Sequence, residues 1–181
     1  MEKLLKIPYT VFNNDWNLLQ QFLERRGNPR YELIGEVNLS NRKDIIDLGN
    51  LVLVDGHLNL LNTPIQSLGN LEYVGSDLDL RFTQIQSLDS LEYVGGFLDL
   101  RFTPIKSLGN LKVVDGNFLL SKTSIKTLGN LVRVGGGLDL EDTPIQSLGN
   151  LNYVGGKIYL NEYHNLPEED IIKFINKLQF D

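Results

Sequence analysis

LGNLEYVGSDLDLRFTQIQS (68–87), LDSLEYVGGFLDLRFTPIKS (88–107) and LGNLKVVDGNFLLSKTSIKT (108–127) repeat one pattern every twenty residues, and related wording runs from Leu48 to Leu160. A fixed period of this length predicts a stacked coil, because each unit is too small to bury its own apolar face and must share a core with its neighbours. Such a scaffold is a surface for holding something and carries no chemistry of its own.

Six apolar columns run through the array. Leu58, Leu78, Leu98, Phe118, Leu138 and Ile158 form one, and Leu60, Leu80, Leu100, Leu120, Leu140 and Leu160 lie two residues on. A spacing of two is strand spacing, so both columns point to one side of a sheet. Ile65, Ile85, Ile105, Ile125 and Ile145, then Leu68, Leu88, Leu108, Leu128 and Leu148, fill the return path. The columns starting at Leu51 and Val54 are three residues apart, which predicts a tight helical or turn-like back wall. Pairs such as Gly95-Gly96 and Gly135-Gly136 are expected to corner the chain through positive φ. Thr63, Thr83, Thr103, Thr123 and Thr143, often followed by proline, are expected to satisfy backbone groups where the chain leaves the sheet.

The pattern L-x-L-x-x-T-x-I-x-x-L-x-x-L resembles the leucine-rich repeat in its short twenty-residue form, with threonine where that family more often has asparagine. The resemblance covers about residues 34 to 165, and the V-G-G-x-L-D-L wording is similar in shape to the L domains of growth-factor receptors. It implies a repeat solenoid: a parallel β-sheet of about seven rungs on a concave face, a short turn or 3-10 back wall, and helical caps at both ends.

Caps are also required physically, because the first and last coils would otherwise expose the core to water. Asp15 to Arg26 reads as a helix with Asn13 or Asn14 as its cap, an apolar face of Trp16, Leu19, Phe22 and Leu23, and Gly27 with Pro29 as its stop. Pro167-Glu168-Glu169-Asp170 opens a second helix, whose buried side is expected to carry Ile171, Ile172, Phe174, Ile175 and Leu178. Between the first helix and the clear repeats, Tyr31 to Asp47 is a degenerate unit with Val37 and Leu39 in its strand, shifted by one residue. The domains expected are an N-terminal helical cap at 1–33, the solenoid at 34–165 and a C-terminal capping helix at 166–181.

The chain has 181 residues, is 41% hydrophobic, contains no cysteine and carries a net charge of -6. That charge, without a basic cluster, argues against nucleic acid as a partner. No apolar run reaches membrane-spanning length. The opening MEKLLKIPYTVFNNDW has no apolar stretch and cleavage site of the signal-peptide kind, so a cytoplasmic location is expected, with signal-independent export left open.

Function is expected where the columns stop repeating, on the outward strand positions. LDLRFT occurs at 78–83 and again at 98–103, placing Asp79, Arg81 and Phe82 beside Asp99, Arg101 and Phe102, with Phe97 at the edge. Adjacent rungs lie about 4.8 Å apart, and exposed aromatic and arginine side chains together are the material of binding hot spots. These seven residues are the expected partner-binding site, and the expected partner is another protein. The competing reading is that the arginines neutralise the stacked aspartates and the phenylalanines pack on each other.

Asp139, Glu141 and Asp142, with Glu162 beside them, could attract a basic partner or a calcium ion. Tyr73, Tyr93 and Tyr153 share an outer column suited to self-association or to covering the wall. His57 and His164 read as ordinary surface residues, and the Gly-Gly pairs as turns instead of a phosphate cradle. The expectation is a non-enzymatic chain without cofactor or metal. The alternatives are a small-ligand or glycan binder, or a structural, self-associating part that uses the tyrosine column.

Overall fold

The computed structural model describes residues 4–162 and 164–180. The ends of the expected caps, residues 1–3 and Asp181, lie outside the described residues. The chain begins with β1 (Leu5–Pro8), a 3-10 turn over Tyr9–Phe12 and α1 (Trp16–Glu24). Two strands then recur in each turn of the coil: β2 (Tyr31–Ile34) and β3 (Val37–Asn38), β4 (Leu51–Val54) and β5 (Leu58–Asn59), β6 (Tyr73–Val74) and β7 (Leu78–Asp79). They are followed by β8 (Tyr93–Val94) and β9 (Leu98–Asp99), β10 (Val113–Val114) and β11 (Phe118–Leu119), and β12 (Arg133–Val134) and β13 (Leu138–Asp139). The last turn holds β14 (Tyr153–Val154) and β15 (Ile158–Leu160), before α2 (Glu168–Phe174) and β16 (Leu178–Phe180).

These strands build two 8-stranded parallel sheets that enclose the core. The front sheet runs β3-β5-β7-β9-β11-β13-β15-β16, and the back sheet runs β1-β2-β4-β6-β8-β10-β12-β14. Pairing is in step with the sequence period: Leu78 faces Leu98, and Val74 faces Val94. All six apolar columns are buried between the sheets, no member being more than 3% exposed.

The back wall differs from the turn or 3-10 wall expected from its spacing. Leu68 to Leu71 is indeed a turn, closed by the Leu71 N–H on the Leu68 carbonyl at 3.2 Å with Gly69 at φ 58. The chain then extends, and Tyr73–Val74 and its equivalents pair from turn to turn as a second sheet. This satisfies backbone groups across the stack, as a parallel ladder requires.

The paired glycines serve a purpose other than positive φ. None of them lies in the left-handed region, which is occupied instead by Gly49, Gly69, Gly109, Gly129 and Gly149 at the corner that precedes the back strand. The pairs are glycine because successive turns touch there: a Cβ on Gly135 would stand 2.2 Å from the Asp115 carbonyl oxygen.

The one-residue shift of the first unit is absorbed in the back sheet. Tyr31 faces Leu51 but Glu32 faces Leu53, so Val52 is the extra residue of a bulge. Glu32 is buried and held by Lys6 across the strand pair at 2.5 Å.

Each end is closed by one strand and one helix. Asp15 caps α1, accepting the N–H groups of Asn17 and Leu18 in place of the expected Asn13 or Asn14. Trp16, Leu19 and Leu23 are buried against the first turn. At the other end α2 stops at Phe174, and Leu178 joins β16, which pairs with β15. Ile172 and Ile175, expected on a buried helix face, are 60% and 62% exposed. Lysines of this segment close the open edge of the back sheet: Lys173 donates to the Leu151 carbonyl and Lys177 to that of Gly155. Among the described residues no helix is long and apolar enough to cross a membrane.

Candidate binding face

The outward side of the front sheet carries a structural pattern beneath its chemistry. In the central column the side-chain oxygens of Asn38, Asn59, Asp79, Asp99 and Asp139 accept the N–H two residues on, at 3.0 to 3.2 Å. This Asx turn bends each strand into its corner. Four residues after that column, the buried threonine hydroxyls of Thr63, Thr83, Thr103 and Thr123 donate back to the carbonyls of Leu60, Leu80, Leu100 and Leu120 at 2.6 to 2.8 Å. Asn or Asp at the centre and Thr at the corner are therefore explained by folding alone.

The seven site residues expected from the sequence separate into three groups on this face. The Arg81 guanidinium closes on Asp79 through Nε at 3.0 Å and Nη2 at 2.7 Å, and Arg101 closes on Asp99 at 3.0 and 2.6 Å. Arg81 Nε also lies 3.4 Å from the Asp99 carboxylate, which links the two rungs. Hydrogen bonding to the paired aspartate raises both arginines above their usual value. The arginines thus do neutralise the stacked aspartates, leaving a flat strip of paired charge.

Phe82 and Phe102 form the second group. Their rings stack with centroids 4.8 Å apart, and the Lys122 ammonium lies 5.2 Å from the Phe102 centroid. Both phenylalanines sit in the left-handed region, at φ 58 and 62, and are 50% and 44% exposed. The same place holds Asn41, Asn62, Lys122 and Asp142 on other rungs, all left-handed. Asparagine tolerates that conformation; an aromatic residue there is strained.

Phe97 stands apart, on the opposite border of the sheet. It is 53% exposed, and its N–H is held by the Asp77 carboxylate at 2.8 Å. The structure therefore brings together six of the seven residues and places the seventh across the Asp99–Arg101 strip from Phe102.

A feature that the duplicated residues do not signal lies next to them. Three positions break the repeat within neighbouring rungs: Leu119 and Tyr159 replace the central Asn or Asp, and Gly137 leaves empty a place that carries a side chain on every other rung. These departures line one recess of about 270 Å³, together with Asn117, Asp139 and Lys157. The signal was present in the columns, as breaks in them.

Two other constellations are weaker. Ser76 Oγ lies 3.5 Å from His57 Nε2, and Asp77 lies 3.2 Å from His57 Nδ1, which superficially orders a serine, a histidine and an aspartate. The same Nδ1 also has the backbone N–H of Asp77 at 3.2 Å, and the His57 and Asp77 side chains are 47% and 43% exposed, so the group is an open surface cluster. Among the described residues, the Asp139–Glu141–Asp142 rung included, no group of three or more His, Cys, Asp or Glu is arranged to hold an ion.

On the back sheet, Tyr73 stacks on Tyr93 at 4.6 Å, and the Tyr93 hydroxyl donates to Asp115 at 2.6 Å. Arg133 lies over the Tyr153 ring, 4.4 Å from its centroid, and 3.4 Å from Asp115. The tyrosine column is thus largely engaged with its own wall.

Comparison with protein-family models, with curated proteins and with solved structures finds no significant match to this chain.

Proposed function

We propose that this chain is a non-enzymatic protein-binding module that recognises a partner protein through the outer side of its front sheet, around Asp79, Arg81, Phe82, Phe97, Asp99, Arg101 and Phe102. The observation that supports this reading is the pair Phe82 and Phe102. Each bears a left-handed backbone strain that the asparagines at the same place avoid, and gains little burial in return. Strain held without a folding benefit suggests a role for the exposed rings. Flanked by salt-bridged arginines, they offer an aromatic strip with prepositioned hydrogen-bond donors and little charge to desolvate.

Kinship with leucine-rich-repeat proteins belongs to the same proposal, supported by the L-x-L-x-x-T columns and the parallel front sheet. So does work in the cytoplasm.

The test is affinity capture from the source lysate with the native chain and with the Phe82→Asn/Phe102→Asn double variant, compared by mass spectrometry. Asparagine already occupies this place at Asn41 and Asn62, so the variant keeps its fold. Proteins retained by the native chain and lost with the variant support the reading. Identical sets, or empty ones, refute it and favour a small ligand or self-association.

A further inference from the structure

The recess bordered by Leu119, Gly137, Asp139 and Tyr159 is built by departures from the repeat that give up folding interactions. Leu119 and Tyr159 have no carboxylate or amide oxygen to offer, so their rungs forgo the Asx-turn bond that Asn38, Asn59, Asp79, Asp99 and Asp139 make. At Gly137 no fold requirement calls for glycine: its φ is not left-handed, and an added Cβ would meet only ordinary contacts, 3.4 Å and beyond. Three independent concessions converge on one concavity of about 270 Å³. Departures from local rules without a folding benefit mark functional positions.

The geometry points to a binding site for a cationic side chain, an arginine or lysine, projected from a partner protein; this rests on the protein-binding reading of the same face. Leu119 and Tyr159 are two rungs apart, leaving about 9.6 Å between their strands, with Asp139 between them and the Gly137 opening beside it. An aliphatic stem would lie along Leu119 and over Gly137. Its charged head would meet the Asp139 carboxylate and the Tyr159 ring, which is 42% exposed. Asp139 Oδ1 accepts the Glu141 N–H at 3.1 Å; among the described residues no cation lies within ion-pair distance of the carboxylate, Arg101 acting on it only at longer range, whereas Asp79 and Asp99 are each closed by an arginine. Lys157 also lines the recess and, among the described residues, makes no salt bridge with Asp139. Asp142 and Glu162 add negative potential on this rung and the next. The front sheet thus offers a neutral aromatic strip beside a recess whose carboxylate is not committed to a salt bridge, and its partner would present a cation next to an apolar contact.

The test uses the full chain, labelled with nitrogen-15 and titrated with acetyl-Gly-Arg-Gly-amide, with its neutral citrulline isostere, and with cellobiose. Saturable shifts confined to the amides of Gly137, Asp139, Gly156, Lys157 and Tyr159 are expected with the arginine peptide. The citrulline peptide should bind about tenfold more weakly or worse, since a hydrogen bond to a charged group is at stake. Asp139→Asn should weaken the arginine peptide by a similar factor with unchanged melting, because asparagine makes the same turn bond at Asn59. Gly137→Asn, copying Asn117, should fill the recess and weaken it too. Equal binding of both peptides, shifts scattered over the chain, no shifts, or a response to cellobiose alone would each overturn the proposal. A silent titration alongside a capture difference at Phe82 and Phe102 defeats the cation site and leaves the wider face standing. The reverse pattern defeats the face and leaves the recess.

Discussion

Phe82 and Phe102 lie with their ring planes 8° from parallel, and both rings are carried by left-handed backbone. The stack is one interaction shared by two residues, whereas the strain is borne twice. Stacking of exposed rings contributes about 0.5–1.5 kcal/mol, and a non-glycine residue in the left-handed region costs about 1–2 kcal/mol, less for asparagine. Phe82→Asn alone should therefore be nearly neutral. The double Phe82→Asn/Phe102→Asn variant should gain about 1 kcal/mol, a positive coupling visible in a double-mutant cycle by urea denaturation. Additive losses would show that the phenylalanines stabilise the fold and would remove the strain argument.

Thr103 donates its hydroxyl to the Leu100 carbonyl at 2.6 Å from a buried position. That carbonyl also accepts the Thr103 N–H at 3.2 Å, so deleting the hydroxyl leaves no orphaned acceptor. Thr103→Val should cost about 1 kcal/mol in a denaturant titration. Leu100→Ala, which opens a cavity between the two sheets, should cost about 2–5 kcal/mol. Equal losses at both sites would mean that the core is looser than its burial indicates.

Glycine carries different weight at two nearby places. Gly129 has φ +54 and no atom near its absent Cβ, and Asp89 holds the same place at φ 50. Gly129→Asn should fall within about 0.5 kcal/mol of the native chain. Gly135 sits against the Asp115 carbonyl at 2.2 Å from where a Cβ would be. Asp55 and Asp115 stand at its place in their own turns, and no two successive turns both carry a side chain there. Gly135→Ala should destabilise by about 1–3 kcal/mol. Comparing melting temperatures of the two variants decides the matter, and a harmless Gly135→Ala would refute the close stacking.

Alkaline stability should report the back wall. Tyr93 is raised to about 12, first by the hydrogen bond to Asp115 and then by burial. The folded state holds this proton more tightly than the unfolded chain, so the contribution is complete below about pH 10 and is lost as pH climbs towards 12. Tyr9, raised to about 12 by burial, acts in the same direction, and burial pushes Tyr31 higher still. The denaturation midpoint should fall between pH 10 and 12, and fall less in Tyr93→Phe. Superimposable profiles for the two proteins would show that the Tyr93–Asp115 bond does not persist in solution.

The front sheet was legible in the sequence because Leu98 and Leu100, two apart, leave only one arrangement that buries both. The back sheet was not: Leu91 and Val94 are three apart, and a two-residue strand is too short to show an alternation of its own. Pairing between turns, a non-local gain, decided that wall. The same override applies at the end of the chain. Ile171, Phe174, Ile175 and Leu178 have helical spacing, yet the chain leaves the helix so that Leu178–Phe180 can pair with β15. At the site, duplication drew the reading to Asp79, Arg81, Phe82 and their copies. The Asx turns explain the aspartates, the salt bridges explain the arginines, and only the phenylalanines are left without a folding role. Gly137, Leu119 and Tyr159 were visible as irregularities, but their convergence required the rungs to be stacked in space.

The two sheets are out of step by one strand: β1 extends the back sheet at one end, and β16 extends the front sheet at the other. Each terminal layer therefore fills the remaining half with a helix. An internal turn can be duplicated or deleted as a twenty-residue block without disturbing either terminus, because the rungs that the two terminal layers meet stay in place. A second copy laid end to end would instead set a strand against a helix in both halves. Duplication of whole turns would thus lengthen the array, and with it the surface it presents, while both terminal layers keep their present neighbours.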